Sequence, residues 1–123
     1  MEAACRGARA ENGTTVGILP GDDRAAANPF VDVALPTGIG QARNALVVRA
    51  ADALVAVGGG FGTLAEIALA LRRGVPVIGI GTWELSEGSG AVDAILRVDD
   101  PDEAARMAVT LARTAGTRGR PTR

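Results

Sequence analysis

The segment DALVAVGGGFGTLAE, residues 52–66, constrains the fold of this chain more than any other. It opens on a short, nearly unbroken apolar run, the pattern of a strand covered on both faces of a parallel sheet. Gly58, Gly59 and Gly60 break the run, and Gly62 follows. From Thr63 onward Leu64, Ile67, Ala68 and Leu71 recur at helical spacing until Gly74 stops the helix. Residues 75–80 read as the next strand. Strand, glycine turn, helix and strand in immediate succession predict an α/β fold of Rossmann-like, doubly wound build around a mostly parallel sheet.

The turn carries chemistry as well as geometry. Glycines accept positive φ and let a ligand approach the backbone, and the first N–H groups of a helix have no intrahelical partner. Gly58, Gly59, Gly60, Gly62 and Thr63 are therefore candidates to cradle a phosphate without any lysine. A tight strand-to-helix turn that binds nothing is the alternative. Residues 60–65 also fit the loose dinucleotide pattern GxGxxA, with Glu84 roughly 20 residues on, where a ribose-binding acid belongs.

The remaining chain continues the alternation. Residues 1–11 read as a helix with Ala3, Ala4, Gly7 and Ala8 on a small-residue face and Glu2, Arg6, Arg9 and Glu11 outward, ended by Asn12 and Gly13. Residues 14–19 read as a strand, 22–29 as a polar loop and 31–35 as a second strand. A turn at 36–40 leads to a helix over 41–51 with Ala42, Ala45, Leu46 and Ala50 as its apolar positions. Beyond residue 80, 81–90 read as a polar loop, 92–98 as a strand and 102–114 as an amphipathic helix. Residues 1–115 are expected to form a single domain and 116–123 a disordered tail. Ligands bind outside the carboxyl ends of the strands in such sheets, which adds Thr37 and Gly38 to the candidate site.

Missing residue types exclude whole classes of function. The 123 residues contain no His, and all 13 basic residues are Arg. That removes Ser-His-Asp and Cys-His triads, imidazole-based zinc sites, the P-loop lysine and the Schiff-base lysine of pyridoxal-phosphate enzymes. No metal site is expected. The single Cys5 forms neither an internal disulfide nor a CxxC pair, and reads as a small buried helix residue. Fourteen acids offset the 13 bases to a net charge of −1, which leaves no basic field for a nucleic acid. No run of about 18 apolar residues is present to span a membrane, and a cytoplasmic location is expected.

The segment Gly58-Gly59-Gly60-Phe61-Gly62-Thr63-Leu64-Ala65-Glu66 closely resembles the PGGxGTxxE motif of the Lonely Guy (LOG) family, cytokinin riboside 5′-monophosphate phosphoribohydrolases often mislabelled as lysine decarboxylases. Residues 1–3 look like the family's GxM stretch, 16–20 like its next strand, and Arg43 like the arginine of its MHxRK segment. Within this superfamily the chain looks closest to the small bacterial subgroup that includes molybdenum-cofactor-carrier-like proteins. The resemblance implies Arg43 and Glu66 as a catalytic pair, and a homodimer with the helix after Gly62 and the Arg43 helix near the interface. A carboxylate near the ribose can stabilise the oxocarbenium-like state through which the base departs, and a guanidinium can hold the phosphate or the base. Plainer roles exist as well: Thr63 and Glu66 have capping-box spacing, and Arg43 has the makings of a solvated helix residue. Gly58 replaces the motif's proline, Gln41 the upstream histidine and Asn44 the upstream lysine.

Family members carry a strand, a helix and another strand before the stretch matching Met1, on the order of 40 residues. The resemblance thus implies that Met1 is an internal methionine and that the N-terminal βαβ portion is lacking here. Three functions follow. A nucleotide-phosphate carrier, its ligand a nucleoside monophosphate or a pterin such as the molybdenum cofactor, is favoured by the substitutions around Arg43 and requires no cofactor of its own. A nucleoside 5′-monophosphate phosphoribohydrolase, releasing free base and ribose 5-phosphate, is favoured by the retained Arg43 and Glu66. A dinucleotide-binding fragment rests on Glu84.

Overall fold

The computed structural model describes residues 1–117, so the expected tail from residue 118 lies outside the described residues. The elements are α1 (Glu2–Ala10), β1 (Val16–Leu19), β2 (Val33–Pro36), α2 (Arg43–Ala50), β3 (Leu54–Val57), α3 (Phe61–Arg73), β4 (Val77–Ile80), β5 (Leu85–Glu87), β6 (Gly90–Val92), β7 (Ile95–Arg97) and α4 (Pro101–Thr117). The pairs β1–β2, β3–β4 and β4–β7 are all parallel, and the fold is α/β of Rossmann-like type, as the strand–turn–helix pattern predicts. The chain divides into two compact units, Met1–Leu46 and Val47 onward, with the boundary inside α2.

The first unit is held together by polar contacts. Asp32 and Thr15 lock the entries of β1 and β2: the Thr15 N–H donates to Asp32 Oδ2 at 2.9 Å, and the Asp32 N–H donates to Thr15 Oγ1 at 2.8 Å. The buried Thr15 hydroxyl also donates to the Phe30 carbonyl. No residue of α1 is buried. Its arginines, expected to face outward, make its contacts instead: Arg6 lies 5.9 Å from the Phe30 ring centroid, and Arg9 reaches the Pro29 carbonyl at 3.2 Å and Asp32 at 3.5 Å. Long guanidinium stems can reach across an irregular loop that a row of alanines cannot. Cys5 is half-buried, its Sγ 3.7 Å from Asn28 Nδ2.

In the second unit the strand order is β3-β4-β7. The register Leu54↔Val77 and Val77↔Ile95 puts Leu54, Ala56, Val77 and Ile95 on one face. There they form a core with Val48 of α2 and with Ile67 and Ala70 of α3. Ile78 points to the opposite face and is fully buried; α4 packs there, burying Ala104 and leaving a shallow apolar groove between Leu96, Met107 and Leu111. Helices thus cover both faces of β4.

Several expectations need correction. β3 is fully buried on one face only: Leu54 and Ala56 are buried, Val55 and Val57 exposed. The other face of β3 carries Val55 and Val57, which α4 approaches but leaves exposed. α2 buries Asn44 and Val48, one turn apart, while Leu46 and Ala50 are exposed. Ala68 of α3 is exposed and Ala70 takes the inward position. The expected loop 81–90 contains β5, which forms an antiparallel hairpin with β6. α4 runs to Thr117, so Gly116 and Thr117 belong to a helix and not to a tail.

Candidate functional site

The glycine turn stands at the carboxyl end of β3. Gly58 has φ +70°, a left-handed conformation that disfavours any side chain, and its N–H donates to the Ile80 carbonyl at 3.0 Å, continuing the β3–β4 ladder by one residue. Gly60 is the N-cap of α3, and no side chain caps the helix. Its carbonyl accepts the Leu64 N–H at 3.0 Å. The N–H groups of Phe61, Gly62 and Thr63 lie in the first turn, where helix geometry offers no carbonyl to receive them. A Cβ placed on Gly58 or Gly60 would meet nothing within 4 Å, so open space lies directly over the turn.

Because α3 begins at Phe61, Thr63 is the third helical residue and Glu66 lies in the second turn. The capping-box reading of this pair fails, since that role requires a side chain at the N-cap, where Gly60 stands. Glu66 is half-buried.

Trp83, to which the glycine motif gives no clue, completes the surroundings of the turn. Parallel pairing brings the ends of β3 and β4 to the same side, and the connection after β4 carries Trp83 there. Its Nε1–H donates to the Gly60 carbonyl at 3.1 Å, and a Cβ on Gly59 would lie 3.5 Å from that nitrogen. Its own carbonyl accepts Arg97 Nη2 at 2.8 Å. The Phe61 and Trp83 ring centroids are 5.8 Å apart, with planes inclined by 33°. The signal for Trp83 in the sequence is its rarity, as the one tryptophan in a chain without tyrosine. Glu84 is exposed beside it.

The other candidate residues gather in the first unit, where the carboxyl ends of β1 and β2 are stitched together. The Thr37 N–H and hydroxyl both donate to the Leu19 carbonyl, at 3.1 and 2.6 Å. The Gly38 N–H donates to Gly21 and the Gly40 N–H to Pro20, each at 2.9 Å. Gly38 has φ +65°, which the reversal of the chain requires. Thr37 and Gly38 therefore use their donors to shape the loop. Arg43 is half-buried and donates from Nη1 to the Ile18 carbonyl at 2.7 Å, so it is not a solvated helix residue. Among the described residues its Nε is a buried donor without a hydrogen-bond partner. Asn44 and Gln41, which stand where the LOG pattern has lysine and histidine, bond each other at 3.3 Å.

The structure thus brings Gly58, Gly59, Gly60, Gly62, Thr63 and Glu66 together on one strand–turn–helix, and Thr37, Gly38 and Arg43 on another local framework.

Comparison with known proteins agrees with the motif. An uncharacterized protein of Archaeoglobus fulgidus is 38% identical over 111 residues, covering 89% of this chain and 68% of its own length. The molybdenum cofactor carrier protein of Chlamydomonas reinhardtii superposes with a TM-score of 0.70 at 34% identity, covering 90% of this chain and 69% of that one. The molybdenum cofactor binding protein of the phototrophic bacterium Rippkaea orientalis does so with a TM-score of 0.64 at 33% identity, covering 94% of this chain; the chain spans 60% of that protein. Residues 1–105 match the SLOG cluster4 family, within the superfamily that includes the LOG proteins, and the chain belongs to that family.

Proposed function

We propose that this chain is a carrier for a phosphate-bearing small molecule of nucleotide or pterin type, held by its phosphate at residues 58–63. One observation carries the reading. An uncapped helix start follows a left-handed glycine, and open space lies over Gly58 and Gly60 where a Cβ would otherwise project. Backbone N–H groups and the positive end of the helix dipole favour an anion there.

The relatives that bind or carry the molybdenum cofactor support a phosphate-bearing pterin as the ligand. Phe61, Gly62 and Thr63 would donate to the phosphate, and Gly58 and Gly60 would admit it. The metal chemistry belongs to the cofactor. A carrier needs only to hold such a group and release it.

Phosphoribohydrolase activity is the second reading, favoured by the half-buried Glu66 in the second turn of the same helix. AMP added to the full chain and followed through its ribose anomeric proton by NMR separates the two. The carrier reading expects line broadening with no free adenine or ribose 5-phosphate. Conversion that is lost in Glu66→Gln would establish the hydrolase instead. Gly58→Ala is expected to weaken AMP binding by roughly tenfold or more, because its methyl group would enter the open space over the turn and disfavour the left-handed backbone there. Unaltered affinity in that variant would rule out the glycine turn as the phosphate site.

A further inference from the structure

The chain has two Phe, one Trp and no Tyr, and two of these three aromatic rings stand at the glycine turn. Trp83 is fixed from three sides. Its indole N–H holds the Gly60 carbonyl, its backbone carbonyl holds Arg97, and its ring packs against the core of the second unit. Phe61 is the opposite case, with 82% of its surface exposed although it opens α3. Leaving a phenylalanine this exposed forgoes the burial that normally dictates where such a residue sits. Its ring lies against Trp83, whose own position is set by the turn.

We propose that Phe61, backed by Trp83, is a stacking platform for the planar bicyclic heterocycle, purine or pterin, of the ligand whose phosphate the turn holds. The proposal rests on the carrier reading and adds to it how the ring is recognised. The geometry decides which surface is used. A heterocycle between the two rings would need them about 7 Å apart and parallel, twice the ordinary carbon–carbon contact distance of about 3.5 Å. At 5.8 Å and 33° they are too close and too tilted for that. The heterocycle lies instead on the outer face of Phe61, with Trp83 fixing the ring from behind. The N–H of the same residue lies in the first turn of α3, so phosphate and ring are recognised side by side. Stacking on an aromatic face does not depend on which base is presented.

The test uses the full chain with two probes, GMP and ribose 5-phosphate, which share a phosphate and differ in the heterocycle. Calorimetry gives both affinities. Emission from the single tryptophan reports on this turn alone, because the chain has no tyrosine. The expected result is GMP about tenfold tighter than ribose 5-phosphate, with a larger change in Trp83 emission for GMP. In Phe61→Ala, and in Phe61→Leu, which keeps apolar bulk without a π face, the preference for GMP should collapse towards one. Phe61→Trp should restore it. Equal binding of the two probes by the native chain, or a GMP preference that survives Phe61→Ala, would overturn the platform and leave the carrier reading standing. Binding of neither probe would overturn both.

Discussion

Asp32 shows how much one side chain does in the first unit. Its carboxylate accepts the Thr15 N–H, its strongest stabilising contact, and also faces the Thr15 hydroxyl and the Arg9 guanidinium. Together these outweigh its partial desolvation and hold its pKa below the ordinary 3.8. With the folded value below the unfolded one, the contribution to stability is complete above 3.8. It is lost as pH falls through the folded value, because the unfolded chain takes up the proton first. Thermal unfolding followed by circular dichroism from neutral pH down through this window should show the native chain losing stability more steeply than Asp32→Asn. Equal acid slopes in the two proteins would show that the carboxylate has no such role. The sequence offered no hint of this contact. Thr15 and Asp32 meet only because the chain returns between β1 and β2, and pattern reading does not see pairings between separated positions. The candidate phosphate residues were legible for the opposite reason, since Gly58 to Thr63 is a local word whose meaning lies in backbone freedom and helix start.

At the scale of elements, periodicity identified what is regular and missed what is small. β3, α3 and β4 were readable because Leu54, Ile67, Val77 and Ile78 are large and their spacing is unambiguous. Faces assigned through alanine were not readable. Alanine loses little on either side of a helix, so Ala42, Ala50 and Ala68 gave no reliable direction, whereas Val48 did the burying in α2. The β5–β6 hairpin was hidden by its composition, Ser, Glu and Gly in strands of three residues. Gly79 is the sharpest packing constraint among these elements. It is buried in β4, and a Cβ there would stand 2.7 Å from Thr82 Cγ2 and 2.8 Å from Ile95 Cγ2. Ile95 is itself only 3% exposed and belongs to the core. Gly79→Ala should therefore destabilise the protein by about 1–3 kcal/mol, as overpacking does, although alanine in a strand normally gains on glycine. A denaturation midpoint unchanged or raised in Gly79→Ala would show that β4 and β7 yield without cost.

At the scale of the whole molecule, alternating strands and helices were enough to call the α/β class, and parallel pairing of β1–β2, β3–β4 and β4–β7 agrees. Assembly is a separate question, because a dimer interface leaves no period in a sequence. The resemblance to LOG proteins implies a homodimer with α2 and α3 near its interface. The exposure of these helices is compatible with that arrangement: Leu46 of α2 is 41% exposed, and Ala65 and Ala68 are exposed one turn apart on α3. Small residues on a helix face let a second helix approach to the short end of the usual 8–10 Å interaxial range. Among the described residues no helix is long and apolar enough to cross a membrane. We expect sedimentation velocity to show a concentration-dependent dimer, and Ala68→Glu to shift it towards monomer, because a carboxylate in a close-packed helix contact would be desolvated without a partner. Ala68 is exposed in the described chain, so the variant should keep its circular dichroism spectrum and unfolding midpoint. A dimer that persists in Ala68→Glu would exclude α3 as the contact, and a native chain that stays monomeric at all concentrations would remove the homodimer itself.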